Sequence, residues 1–110
     1  MSRLLEWLEE NLDDESITLS AIARQGALSV RTLSRRFKQH TGPTPLNWLF
    51  QARVRRAQLL LETTPLSVER IATSVGFGSV TAFRAHFRRI TRTSPLAYRQ
   101  AFRARAAHEE

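Results

Sequence analysis

An all-α fold of seven helices, set as two helix-turn-helix units on either side of one long helix, is what this 110-residue chain predicts. Three observations lead there. The stretch Pro45–Thr63 carries Leu46, Phe50, Val54, Ala57 and Leu61 at steps of four, four, three and four, the spacing of one buried helical face. The segments around it repeat at an offset of 50, so that Ser29, Leu33, Phe37, Thr41, Leu46 and Trp48 answer Ser79, Phe83, Phe87, Thr91, Leu96 and Tyr98, with Pro45 answering Pro95. In each copy a glycine separates two short helical patterns, which is the sequence form of helix, tight turn, helix.

Taken in order, Ser2 to Leu12 has Leu4, Leu5, Leu8 and Leu12 on one side and Glu6, Glu9 and Glu10 outside, an amphipathic helix that covers a core. Thr18 caps a helix over Leu19–Gln25 whose inner face is Leu19, Ile22 and Ala23, and Gly26 makes the turn. Ser29 caps a third helix that runs to Thr41 with Leu33 and Phe37 inward, and Gly42-Pro43 ends it. Thr44 at the N-cap and Pro45 at the first helical position start the long helix, and Pro65 stops it. Ser67 then caps Val68 to Val75 with Val68, Ile71 and Ala72 inside, Gly76-Phe77-Gly78 turns, and Ser79 caps Val80 to Thr91. The first helices of the two units match at an offset of 49, Leu19 with Val68 and Ala23 with Ala72, so the second turn is one residue longer. Ser94 and Pro95 begin a last helix through Leu96, Tyr98 and Phe102, and Arg103 to Glu110 is expected to fray. The expected division is a first unit over 1–43, a linker helix over 44–64 and a second unit over 65–110. A 50-residue period seen twice fits a two-headed binder and not a solenoid, which needs three or more copies to bury a core.

The net charge is +7, with 16 Arg against one Lys, and its distribution is more informative than its sum. Six of the ten acids lie between Glu6 and Glu15, whereas Ser16 to Leu61 holds eight basic residues and no acid, and Arg70 to Ala107 does the same with eight more. A solvated face mixes signs; two acid-free basic blocks are the footprint of a polyanion. The chain has no cysteine, and His40, His86 and His108 lie far apart, so neither a disulfide framework nor a metal centre is expected and no cofactor is implied. No apolar run reaches the 18 or more residues of a membrane span, and the start is too acidic for a signal peptide, so a soluble, cytoplasmic (nucleoid-associated) protein is expected. The acid neighbours Glu9-Glu10 and Asp13-Asp14 have no nucleophile or base arranged beside them, and no glycine-rich phosphate loop follows a strand, which argues against an enzyme.

In each unit the second helix has an outer stripe opposite its apolar one. It is Arg31, Ser34, Arg35 and Lys38 in the first unit and Thr81, Arg84, Ala85 and Arg88 in the second. Side chains three and four apart share a face, and such a face fits a major groove about 12 Å wide. Arginine pairs bidentately with guanine O6 and N7, which makes Arg31, Arg35 and Arg84 the expected base readers, helped by Ser34 and Thr81. Ser29, Lys38, Ser79, Arg88 and Arg89 lie near helix ends, where contacts to phosphate position the protein without specifying sequence. For Arg36, Arg55, Arg56 and Arg103, surface solubility is as good a reading as DNA contact. Arg53 is expected to pair with Glu62 or with an acid of the first helix, Trp48 and Tyr98 to plug the core, and His40 and His86 to lie on a helix surface or groove edge.

The segments S-V-R-T-L-S-R-R-F-K at Ser29 to Lys38, R-V-R-R-A-Q-L-L-L at Arg53 to Leu61, V-E-R-I-A-T-S-V-G-F-G-S-V-T-A-F-R-A-H-F-R-R at Val68 to Arg89 and S-P-L-A-Y-R at Ser94 to Arg99 resemble the DNA-binding domain of the AraC/XylS family of bacterial transcription regulators. The resemblance spans nearly the whole chain. Its W-L-F-Q-A-R and F-R-A-H-F-R-R wording is most similar to the subgroup whose longer members carry an amidotransferase-like (DJ-1/PfpI-type) N-terminal domain, which these residues do not include. The family likeness implies seven helices, two recognition helices (29–41 and 79–91) in successive major grooves of one DNA face, and base contacts at Arg31, Ser34, Arg35, Thr81 and Arg84. It also implies an activator and contact with RNA polymerase. Ala85, Gly78 and Arg92 depart from the common pattern, where Arg, an acid and Gly are frequent; Ala85 lowers the base-reading capacity of the second helix.

A helix of 19 residues at about 1.5 Å each is a rod of about 28 Å, shorter than the roughly 34 Å turn of B-DNA. Such a rod implies that the DNA bends or that one head inserts incompletely. Two different recognition faces in one chain imply a monomer on an asymmetric double-stranded site, with no small-molecule ligand in this fragment. Non-specific nucleic-acid binding and a helical protein-protein adaptor are the competing readings; the aromatics fall on inner stripes, which removes the stacking platforms that single strands need.

Overall fold

The computed structural model describes residues 1–109 and contains seven helices among them: α1 (Ser2–Glu10), α2 (Leu19–Gln25), α3 (Val30–Thr41), α4 (Pro45–Thr63), α5 (Val68–Ser74), α6 (Val80–Thr91) and α7 (Pro95–Glu109). The starts of α2 to α7 follow from side-chain chemistry. The hydroxyls of Thr18, Ser29, Thr44, Ser67, Ser79 and Ser94 each accept from the backbone N–H three residues on, so one orphan donor at each helix start is satisfied.

Two apolar cores share α4. Leu4, Leu8, Leu12, Ile22, Ala23, Leu33 and Phe37 close on Leu49 and Ala52, while Ile71, Ala72, Val75, Phe77, Phe83 and Phe87 close on Val54, Ala57 and Leu61. The stripe read from the sequence was therefore too narrow. A helix that serves two cores in succession buries Leu49, Ala52 and Arg53 as well, and leaves Leu46 and Phe50 half-buried between the units.

The duplication extends to packing. Phe37 meets Trp48 edge-on at 6.0 Å and 76°, and Phe87 meets Tyr98 at 5.8 Å and 74°. Trp48 and Tyr98 thus brace the cores from half-buried positions instead of plugging them. Thr41 and Thr91 each return a hydroxyl to the carbonyl four residues back, at 2.7 Å and 2.8 Å. In the turns, Leu28 N–H donates to Ala23 O and Phe77 N–H to Ala72 O, an offset of 49 that places the extra residue of the second turn at Gly78. The left-handed residue of the first turn is Ala27 (φ 55), not Gly26 (φ −86); its counterpart in the second is Gly76 (φ 96).

Two expectations are corrected. Arg53 makes no ion pair with Glu62 or with an acid of α1: its Nε donates to Leu12 O and its Nη2 to Asp14 O, both at 2.8 Å. Glu62 instead accepts from the Tyr98 hydroxyl. The tail does not fray at Arg103: α7, which lies against α4, continues as a helix to Glu109, and Glu110 lies outside the described residues. Leu96 is 54% exposed and Phe102 is exposed too, since α7 has only one core to cover.

Candidate nucleic-acid interface

Burial of one side of each recognition helix fixes what the other side presents. Leu33 and Phe37 anchor α3 and Phe83 and Phe87 anchor α6, all without solvent exposure. On α3 this leaves Arg31, Arg35 and Lys38 exposed and Ser34 half-buried; on α6 it leaves Thr81, Arg84, Ala85, Arg88 and Arg89 exposed. Arg36, Arg55, Arg56 and Arg103 are exposed as well, off these stripes. The sequence-predicted residues thus form two clusters on separate helices, each held by its own core.

The two clusters differ in how their side chains are held. Arg31 and Arg35 form no ion pair with the described residues, whereas Arg84 Nη2 lies 3.2 Å from Glu69 Oε1 on α5. Arg89 Nη2 reaches His86 Nδ1 at 3.1 Å, which requires that ring nitrogen to be free of a proton. Ser29 and Ser79 both cap their helices, and the Ser29 hydroxyl also donates to Thr32 Oγ1 at 3.0 Å. The Ser79 hydroxyl accepts from Ala82 N–H at 3.0 Å.

The relation between the clusters is set at a junction that sequence reasoning missed. His86 is not a simple surface residue: its ring stacks on Phe50 of α4 at 4.0 Å and lies 5.5 Å from Phe77. Burial, Arg89 and Arg53 together push its pKa below the ordinary value of 6.5. Beside it Arg53 passes 5.8 Å from the Phe77 ring centroid. Gly76 packs so closely that a Cβ would lie 2.2 Å from Leu12 O and 2.8 Å from Arg53 Nε. The segment after α1, the middle of α4 and the turn of the second unit therefore meet at one point. Arg53 is 4% exposed; burial lowers its pKa, and Asp14, Asp13 and Glu15 oppose that shift.

Arg99 was missed as well. It is buried in α7 and donates from Nε to Leu61 O and from Nη2 to Thr64 O, both at 3.1 Å. Arg53 and Arg99 perform the same task, each tying the segment before a unit to the helix after it. They lie 46 residues apart, not 50, so the repeat that aligns the apolar positions does not align them. Glu69 carried a signal, being the only acid between Glu62 and Glu109.

Comparison with known proteins adds to this geometry. A family model described as a helix-turn-helix domain matches residues 22–101. The HTH-type transcriptional activator RhaS of Salmonella schwarzengrund (strain CVM19633) is 42% identical over 100 residues, which cover 91% of this chain and 36% of that protein. The chain thus spans about a third of the length of the curated relatives it matches. Among solved structures, the DNA-binding domain of the global transcriptional factor AdpA, determined in complex with a target DNA, superposes with a TM-score of 0.90 at 43% identity, covering 94% of this chain and 93% of that one. A transcriptional regulator from Chromobacterium violaceum, described by its AraC-type DNA-binding domain, gives a TM-score of 0.80 at 29% identity over 90% of this chain and 88% of its own.

Proposed function

The chain belongs to the AraC/XylS family of helix-turn-helix transcription regulators, and from that premise we propose that it binds double-stranded DNA in a sequence-specific way with both recognition helices, α3 and α6. The observation that carries this reading is the pair of basic faces, exposed Arg31 and Arg35 with half-buried Ser34 on α3 and exposed Thr81 and Arg84 on α6, each opposite a fully buried apolar stripe. These five side chains are assigned to base edges. Ser29, Lys38, Ser79, Arg88 and Arg89 are assigned to phosphates, which set register. The AdpA domain, similar over nearly all of this chain, was captured on a target DNA, which supports binding to duplex DNA.

The two faces differ in sequence, so the site is asymmetric and one copy suffices to read it. The long axis of the molecule measures 49 Å, enough to span successive major grooves about 34 Å apart. The roughly 28 Å length of α4 favours a bent target, at a deformation cost on the order of 1–6 kcal/mol that makes the uncontacted centre part of the specificity. By analogy with relatives named as activators, the regulator works in the cytoplasm through contact with RNA polymerase, and catalyses no reaction.

Selection of bound duplexes from a random pool tests this, with Arg31→Ala, Arg35→Ala, Arg84→Ala combined in one variant and selected in parallel at the same salt. The expected result is a motif with two informative blocks about one helical turn apart, blurred in the variant. A wild-type chain that enriches nothing, or a motif that the variant keeps, would overturn the assignment.

A further inference from the structure

Glu69 stands out on the basic side of the second unit. No other acid occurs between Glu62 and Glu109, and its carboxylate accepts from Arg84, the one arginine of α6 assigned to bases. An acid in that place repels phosphates and so lowers affinity for every DNA alike. As a stability device it has little value, since Arg84 and Glu69 are 52% and 61% exposed and such pairs are weak in water. What the contact does supply is direction. One N–H of Nη2 points to Glu69 Oε1, while the remaining donors of the guanidinium fork stay available for guanine O6 and N7. A groove that excludes water strengthens the pair at the moment of reading.

We propose that Glu69 is a specificity-determining residue of the second unit, positioning Arg84 for one guanine and penalising contact with phosphate in its place. The first unit has no such device. The positions that correspond to Glu69 and Arg84 at offsets of 49 and 50 are Ser20 and Ser34, and its arginines Arg31 and Arg35 carry no carboxylate partner among the described residues. The second unit has Ala85 where the first has Arg35, so it reads with one arginine where the first reads with two. Loss of one reader makes the aim of the other more consequential. The inference rests on the base-reading role proposed for Arg84.

The experiment selects duplexes from a random pool with the wild-type chain, Arg84→Ala, Glu69→Ala and Glu69→Gln, and measures affinity for a mixed-sequence duplex by fluorescence anisotropy at one salt concentration. Arg84→Ala and Glu69→Ala are expected to flatten the same base positions in one block and leave the other block intact. Glu69→Ala is also expected to bind the mixed duplex roughly threefold to tenfold more tightly. Glu69→Gln, whose amide oxygen still accepts from Arg84, should keep much of the base preference while sharing the tighter non-specific binding. Thermal melting of the three variants checks that the fold is retained. A Glu69→Ala variant that keeps the preference lost in Arg84→Ala overturns the role of Glu69 alone. An Arg84→Ala variant with an unchanged motif overturns the base-reading assignment itself.

Discussion

Backbone conformation at single residues fixes the turns of this chain. Gly76 needs a positive φ and also lacks room for a Cβ beside Leu12 O and Arg53 Nε. Gly76→Ala is therefore expected to cost more than about 2 kcal/mol, combining left-handed strain with a backbone clash, read as a lower urea midpoint at unchanged m. Ala27 (φ 55) and Arg92 (φ 69) occupy the same left-handed region without being glycine. Ala27→Gly and Arg92→Gly should each stabilise by up to about 1 kcal/mol, seen as a rise in melting temperature. His86 gives a pH dependence of known sign. Its folded pKa lies below the ordinary 6.5, so the unfolded chain binds more protons as pH falls through that value. Stability is then lost on acidification from about pH 6.5 downward, until the folded-state pKa is passed. Urea midpoints taken between pH 7.5 and 5 should show this limb in the wild type and a shallower one in His86→Gln. Tyr98 titrates at the other end, raised to about 12 by burial and by its bond to Glu62.

At the level of elements, α4 differs from every other helix because it closes two cores. Leu49 belongs to the first and Leu61 to the second, both fully buried. Leu49→Ala and Leu61→Ala should each cost about 2–5 kcal/mol. If the shared helix and the Arg53 junction couple the units, each variant should still unfold in a single transition by circular dichroism and tryptophan fluorescence. Non-coincident curves would mean that the units unfold separately. The caps were legible because Ser or Thr stood three residues before a backbone N–H in need of an acceptor, which is a local relation. The burial pattern of α4 was not, because a periodic stripe assumes one partner surface and this helix has two.

For the whole molecule, the proposed interface predicts a salt dependence that separates its parts. If Lys38, Arg88 and Arg89 contact phosphates, replacing any one by Ala should weaken binding to all sequences and reduce the slope of log K against log salt by about 0.9. Arg35→Ala should relax one position of the motif with a smaller change in general affinity. Titration of a defined duplex between 50 and 200 mM salt, with each variant, distinguishes the two behaviours, and equal effects on all sequences from Arg35→Ala would remove it from the base-reading set.

The helices, their starts, the duplication and the basic faces are legible in the chain alone, because caps, apolar periodicity and charge blocks act over a few residues or repeat at a fixed offset. It left open the partners of residues far apart in the chain. Charge alone makes Arg53 half of an ion pair, but burial gives more weight to two fixed carbonyls, at Leu12 and Asp14, that need donors. The helical pattern places His86 on a helix surface or groove edge, and the approach of Phe50 from α4 and of Phe77 from the turn covers it. The junction of Leu12, Arg53 and Gly76 exists only in the folded chain, since close packing between segments 23 to 64 residues apart leaves no periodic trace in the sequence.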